Sequence, residues 1–108
     1  MARGMSGGMG DLVRQAQKMQ GKMAEIQNGL KERIVEGTAG GGMVKVLVNG
    51  QQEIMAVKLN PEVVDPDDVA MLEDLILAAA RQGLEKAKEL ANSEMAKVTG
   101  GMNLPGLF

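Results

Sequence analysis

Leu12, Ala16, Met19, Met23, Ile26 and Leu30 recur at alternating intervals of four and three residues, the seam of a helix packed lengthwise on another helix. The spacing predicts a helix from about Asp11, which sits at or beside the N-cap, where a carboxylate meets the positive end of the helix dipole. Gly21 and Gly29 weaken this helix by about 1 kcal/mol each relative to Ala, so packing rather than propensity must hold it. At Ile34 the apolar period falls to two. Ile34–Thr38, Met43–Asn49 and Ile54–Leu59 read as strands, joined by "AGGG" and by "NGQQ", whose Asn-Gly pair is the strongest local hairpin signal in the chain. Asn60-Pro61 closes the third strand, and one helical turn fits between Pro61 and Val64. Asp65 as N-cap and Pro66 at the first helical position then open a second long helix. It runs to about Val98, where Thr99-Gly100-Gly101 stops it. Its seam is Val69, Leu72, Ile76, Ala79 and Gly83, continued by Leu84, Ala87, Ala91 and Val98.

The plan is α+β: helix, three-stranded antiparallel sheet, long helix. Residues 1–10 read as a flexible arm, 11–101 as a single domain and 102–108 as a tail. Two faces of the strands raise a difficulty. Val44, Val46 and Val48 point to one side, but Leu47 shares the other with Lys45; Met55, Val57 and Leu59 oppose Ile54 and Ala56. A small antiparallel sheet usually wets one face. With two helices on one face, the pattern predicts a second subunit as the cover, by face packing or by joining edge strands.

Composition sharpens that expectation. The 108 residues include one aromatic, Phe108, and ten methionines, so the core is aliphatic and thin. The chain has no Cys and no His, which excludes disulfides, thiolate zinc sites and the commonest general base. No apolar run is long enough to span a membrane. "MARGMSGGMG" has no apolar h-region, so a cytoplasmic protein without a signal peptide is expected. No cofactor, metal site or small-molecule substrate is indicated. The glycines at 40–42 lead into a strand with Lys45 inside it, which does not fit a phosphate loop; a connection needing positive φ accounts for them. Asp65, Asp67 and Asp68 lack the spacing of a calcium loop and are accounted for by helix capping.

Charge is more informative in its distribution than in its sum of −2. Residues 1–33 hold six basic and three acidic side chains, a balance of +3, whereas 34–66 and 67–108 carry −2 and −3. Arg14, Lys18 and Lys22 fall at i, i+4 and i+8, a single stripe on a helix face away from the apolar seam, flanked by Gln15 and Gln17. The stripe suits either an ordinary solvated face or phosphate contact. Without aromatics to stack bases, any nucleic-acid binding must use duplex backbone and shape.

"LVRQAQKMQGKMAEIQ" (12–27), "GGGMVKVLVNG" (40–50), "MLEDLILAAA" (71–80) and "GGMNLPGLF" (100–108), in this order and spacing, resemble the YbaB/EbfC family of bacterial nucleoid-associated proteins. The resemblance covers nearly the whole chain. It implies a symmetric homodimer whose paired helices project from a central sheet like tweezers, and double-stranded DNA as partner in the cytoplasmic nucleoid. Carried onto this sequence, it implies DNA contacts by Arg14, Lys18 and Lys22 on the first helix and by Arg81, Lys86 and Lys88 on the last. The expected function is non-enzymatic DNA binding of low sequence specificity, affecting nucleoid organisation and gene expression. The alternative is a protein-interaction adaptor gripping a partner with its helical prongs.

Overall fold

In the computed structural model the backbone is described for residues 2–99 and the side chains for residues 9–98. The elements follow the expected order: α1 (Ala2–Glu32), β1 (Ile34–Ala39), β2 (Val44–Asn49), β3 (Ile54–Leu59), a 3-10 turn (Pro61–Val63) and α2 (Val69–Thr99). The expected tail 102–108 and the side chains of 1–8 in the expected arm lie outside the described residues.

Val44, Val46 and Val48 are fully shielded from solvent, and they sit on β2, the middle strand of an antiparallel sheet ordered β1-β2-β3. One face of the sheet is covered by α2, whose Ala79, Gly83 and Ala87 are buried, with Leu72, Leu75, Ile76 and Leu84 packed around them. Contact is closest at two glycines. A Cβ on Gly37 of β1 would fall on the Ala79 carbonyl and the Gly83 backbone, and one on Gly83 would lie 2.8 Å from Val48 Cγ2. Backbone therefore meets backbone across this helix–sheet contact.

A helix is about 10 Å wide, while strands repeat at about 4.8 Å. One helix covers two strands, and α2 lies across β1 and β2 and barely touches β3. The consequence is visible on β3, where Ile54, Met55, Val57 and Leu59 are all substantially exposed. The pairing also corrects the alternation expected for β3. A bulge sets Ile54 opposite Val48 and Ala56 opposite Leu47, leaving Met55 unpaired, so Ile54, Val57 and Leu59 share the inner face.

The two sheet edges differ. The Thr38 amide on β1 donates to Gln82 Oε1 at 2.8 Å, and Lys86 Nζ donates to the Glu36 carbonyl at 2.9 Å. Gln82 and Lys86 are one helical turn apart on α2, and together they occupy backbone groups that another strand would need. Edge β3 carries no such cover among the described residues.

Helix α1 does not lie on the sheet beside α2, as the sequence reading supposed. It packs along the C-terminal half of α2 and reaches the sheet only at the β2–β3 turn. The reason is local. Gly50 N–H donates to the carbonyls of Leu30 and Arg33 at 2.8 and 2.9 Å, and a Cβ there would come within 2.7 Å of the Leu30 oxygen. Gly50 thus serves close approach, not a two-residue turn. The turn itself is organised by Asn49, which is buried, donates to Glu53 Oε1 at 2.8 Å and accepts from the amides of Gln51 and Glu53; Gln52 takes the positive φ.

Both helix starts also differ from expectation. Helix α1 begins at Ala2, so Asp11 lies inside it and does not cap it. Before α2, Asp65 Oδ1 accepts from the Asp67 amide and the Asp65 carbonyl from the Asp68 amide, making a turn with Pro66 at its second position. The cap passes to Asp68, whose Oδ1 accepts from the Met71 amide at 3.2 Å. Gly40, Gly41 and Gly42 take positive φ, as the sequence required of the β1–β2 connection.

Two glycine substitutions should move stability in opposite directions. Gly29 has open space where a side chain would go, so Gly29→Ala should stabilise by about 1 kcal/mol. Gly37→Ala drives a methyl into backbone, and should destabilise by about 1–3 kcal/mol. Thermal melts of the two variants check this; a neutral Gly37→Ala would show that α2 is not seated by that contact.

Candidate nucleic-acid interface

The antiparallel pairing of α1 with α2 ends where α2 ends. Leu30 is buried, and Ile26, Met23 and Met19 are half-buried along the pairing. Val98 shares a cleft of about 310 Å³ with Gln15, Lys18, Met19 and Lys22. Above that level α1 continues alone among the described residues.

Arg14, Lys18 and Lys22 are all exposed and share this part of α1. Lys18 and Lys22 border the cleft beside Val98, whereas Arg14 lies above it, on the unpaired stretch. The stripe is not free of acid. Asp11 Oδ1 stands 4.0 Å from Arg14 Nη2, with both side chains more than two-thirds exposed. Such a pair contributes at most about 1 kcal/mol and is readily exchanged for another anion.

The basic residues of α2 do not join that stripe. Arg81 and Lys88 lie on the exposed face of α2, seventeen and ten residues before Val98, about 25 and 15 Å back toward the sheet. Lys86 points elsewhere, to the β1 edge, where Glu36 holds its ammonium. Of the six positions singled out, three cluster on α1, two stand apart on α2, and one is engaged in the fold. The structural use of Lys86 left one trace in the sequence, its four-residue spacing from Gln82, which acquires meaning only once α2 is placed over β1.

A separate charged group fastens the two helices. Glu94 Oε1 of α2 accepts from Lys97 Nζ at 3.2 Å and from Arg33 Nη1, just beyond α1, at 3.3 Å. The hydrogen bond and charge of Lys97, reinforced by Arg33, hold the Glu94 carboxyl below its ordinary value of 4.5, against an opposing effect of burial. A depressed carboxyl contributes stability above its unfolded pKa and loses it as pH falls through the folded value. Glu94→Gln should therefore melt below wild type at pH 7, and the two curves should converge as pH falls below 4.5 and through the lower folded-state value. A gap that persists in acid would assign the loss to packing instead of charge.

The chain is similar to known proteins over nearly its whole length. Residues 5–102 match the model of the YbaB/EbfC DNA-binding family. A nucleoid-associated protein of Caldanaerobacter subterraneus subsp. tengcongensis is 52% identical over 107 residues, covering 97% of this chain and 96% of that protein. One from Acetivibrio thermocellus is 52% identical over 106 residues, covering 97% and 94%. The fold is shared with the crystal structure of an uncharacterized protein from Helicobacter pylori, at a TM-score of 0.68 and 21% identity over 76% of this chain and 86% of that one. With half its residues identical to such relatives over nearly its full length, and the family model matched from the first helix to beyond the last, this chain belongs to the YbaB/EbfC DNA-binding family.

Proposed function

We propose that this chain is a nucleoid-associated protein that binds double-stranded DNA as a homodimer in the bacterial cytoplasm. It does so chiefly through phosphate contacts with little sequence preference, and without catalysis or a cofactor. The observation that carries the reading is the exposed Arg14–Lys18–Lys22 stripe, which runs from beside the end of α2 onto the part of α1 that outruns it. Its eight-residue length is about 12 Å, which matches the axial rise of three to four base pairs at about 3.4 Å each. Lys and Arg there displace counterions from phosphates, a term that carries no base information. Arg81 and Lys88 are secondary candidates, at a distance that a bent or wrapped duplex would have to bridge. Lys86, tied to Glu36, is left out of the contact set. The names borne by the relatives favour the same partner.

Support for the dimer comes from β3. Its open edge and its Ile54, Met55, Val57 and Leu59 form an apolar surface that α2 is too narrow to cover. A two-fold contact of β3 with β3 supplies the cover, by edge pairing, face packing or both. Light scattering at micromolar concentration should give twice the chain mass of 11.4 kDa. Met55→Lys with Val57→Lys should shift the mass toward monomer, because two cations per copy would then be buried in the contact. A monomeric wild type would overturn the dimer.

Replacing Arg14, Lys18 and Lys22 together by Gln tests the stripe. All three are exposed, so folding and dimer mass should be unchanged. Duplex affinity should fall, and the slope of log K against log salt should shrink by about 0.9 per lost contact, up to about 2.7 per subunit. AT-rich and GC-rich duplexes should lose equally. An unchanged slope would move the contact to Arg81 and Lys88 or to Arg3, and unaltered affinity after removing all of these would favour the adaptor reading.

A further inference from the structure

The sheet has an outer face, turned away from α2, on which the buried valines of β2 give way to Lys45. Lys45 is the cross-strand partner of Lys58 on β3. Like charges set directly opposite each other on neighbouring strands repel and destabilise a sheet. Both lysines are exposed, and neither forms an ion pair or hydrogen bond among the described residues. An edge strand often carries Lys to discourage further pairing. That accounts for Lys58 but not for Lys45, which lies on the middle strand.

Neutral donors adjoin the pair. Lys45 and Lys58 share a cleft of about 260 Å³ with Gly42 and Asn60. Asn60 Oδ1 accepts from the Glu62 amide at 2.9 Å, which leaves Asn60 Nδ2 as a donor with no acceptor among the described residues. Gly42 belongs to the β1–β2 turn, closed by the Met43 amide donating to the Gly40 carbonyl at 3.3 Å. Its two central residues, Gly41 and Gly42, have positive φ, as a type I′ turn requires. Their amides have no acceptor among the described residues, and nothing lies within 4 Å of where a side chain would start on either. Bare backbone therefore stands beside the two ammonium groups. Of the described residues that line the cleft none is acidic and none is aromatic. The cleft offers a base nothing to stack on, and its donors suit phosphate.

We propose that Lys45, Lys58, Asn60 and the 40–43 turn form a second site for the phosphates of a DNA backbone, on the side of the sheet away from α2. The inference rests on the reading of this chain as a DNA-binding protein and deepens it. The site is distinct from the α1 stripe. Thr38, the β1 partner of Lys45, is held by Gln82 of α2, whereas Lys18 and Lys22 lie beside Val98. Gln82 and Val98 are sixteen residues of continuous helix apart, about 24 Å. That is about three Debye lengths at physiological salt, so the two sites attract phosphate independently. Ile54, Val57 and Leu59 point to the inner face, so a partner that covers them leaves both lysines open.

Salt titrations of duplex binding by the full-length protein test the site. Lys45→Gln with Lys58→Gln should keep the wild-type far-ultraviolet spectrum and dimer mass, since both side chains are exposed. Its slope of log K against log salt should shrink by about 0.9 per lost contact, up to about 1.8 per subunit. The loss should add to that of the Arg14, Lys18 and Lys22 replacement when all five are changed together. A second measurement needs no substitution. In wild type, duplex should protect Lys45 and Lys58 from reductive methylation, read by peptide mass spectrometry, and inorganic phosphate at equal phosphate concentration should not. An unchanged slope for the Lys45 and Lys58 variant, with the stripe variant losing its own, overturns this inference and leaves the DNA reading standing. A wild type without salt-dependent duplex binding overturns both. Equal protection by inorganic phosphate makes this a small-anion site and overturns the DNA contact, as does methylation of both lysines at the same rate with and without duplex.

Discussion

A single helix is two strands wide, and this sheet has three. That mismatch organises the molecule. Helix α2 is drawn onto β1 and β2 by the backbone contact at Gly37 and Gly83, so the completely buried valines are those of the middle strand. Seating α2 over β1 places Gln82 and Lys86 within reach of the β1 backbone and closes that edge. The same seating withholds cover from β3. One sheet edge is therefore sealed from within the chain, while the other presents apolar side chains and unpaired backbone together, the combination that makes an edge adhesive.

The second consequence concerns α1. Because the β2–β3 turn holds its C-terminal end through Gly50 and Leu30, α1 has one fixed point and must find its remaining contacts along α2. Both helices have 31 residues, about 46 Å each, against about 20 Å for a six-residue strand. Their pairing is antiparallel and offset, so part of α1 projects past the end of α2. The basic stripe lies on and beside that projecting part, which no other described element covers.

Much of this was legible in the sequence, and the failures share a cause. Strand positions, the positive-φ glycines and the heptad seam from Met19 to Leu30 all depend on local chemistry and were read correctly, whereas Leu12 and Ala16 of that seam are exposed because α2 ends below them. The cap of α2 was misplaced by three residues because Asp65, Asp67 and Asp68 are each competent caps, and Asp65 is drawn into a turn by Pro66. The face of β3 was misread at Met55 because a bulge leaves no compositional mark in a run of apolar residues. Asn49-Gly50 gave the hairpin but not its reason, since Gly50 answers to Leu30, twenty residues earlier. For the site, residue types alone could not separate Lys86 from Arg81 and Lys88. Only the placement of α2 over β1 shows that one of the three is held by backbone while two face solvent.

A net charge of −2 by itself opposes an anionic partner such as DNA, but its distribution matters more than its sum. The densest run of acids, Asp65, Asp67, Asp68, Glu73 and Asp74, lies at the start of α2, whereas the stripe lies beside its end. From Glu73 to Val98 is twenty-five residues of continuous helix, about 37 Å. At physiological salt the Debye length is about 8 Å, so those carboxylates act across more than four screening lengths and are invisible to a phosphate at Lys18. The acids that do stand near are few. Glu94 is already matched by Lys97 and Arg33, Asp11 is an exposed partner of Arg14 that a phosphate can replace, and exposed Glu25 lies about one turn beyond Lys22 on α1. Arg14, Lys18 and Lys22 against Asp11 and Glu25 still leave a local excess of positive charge along this part of α1.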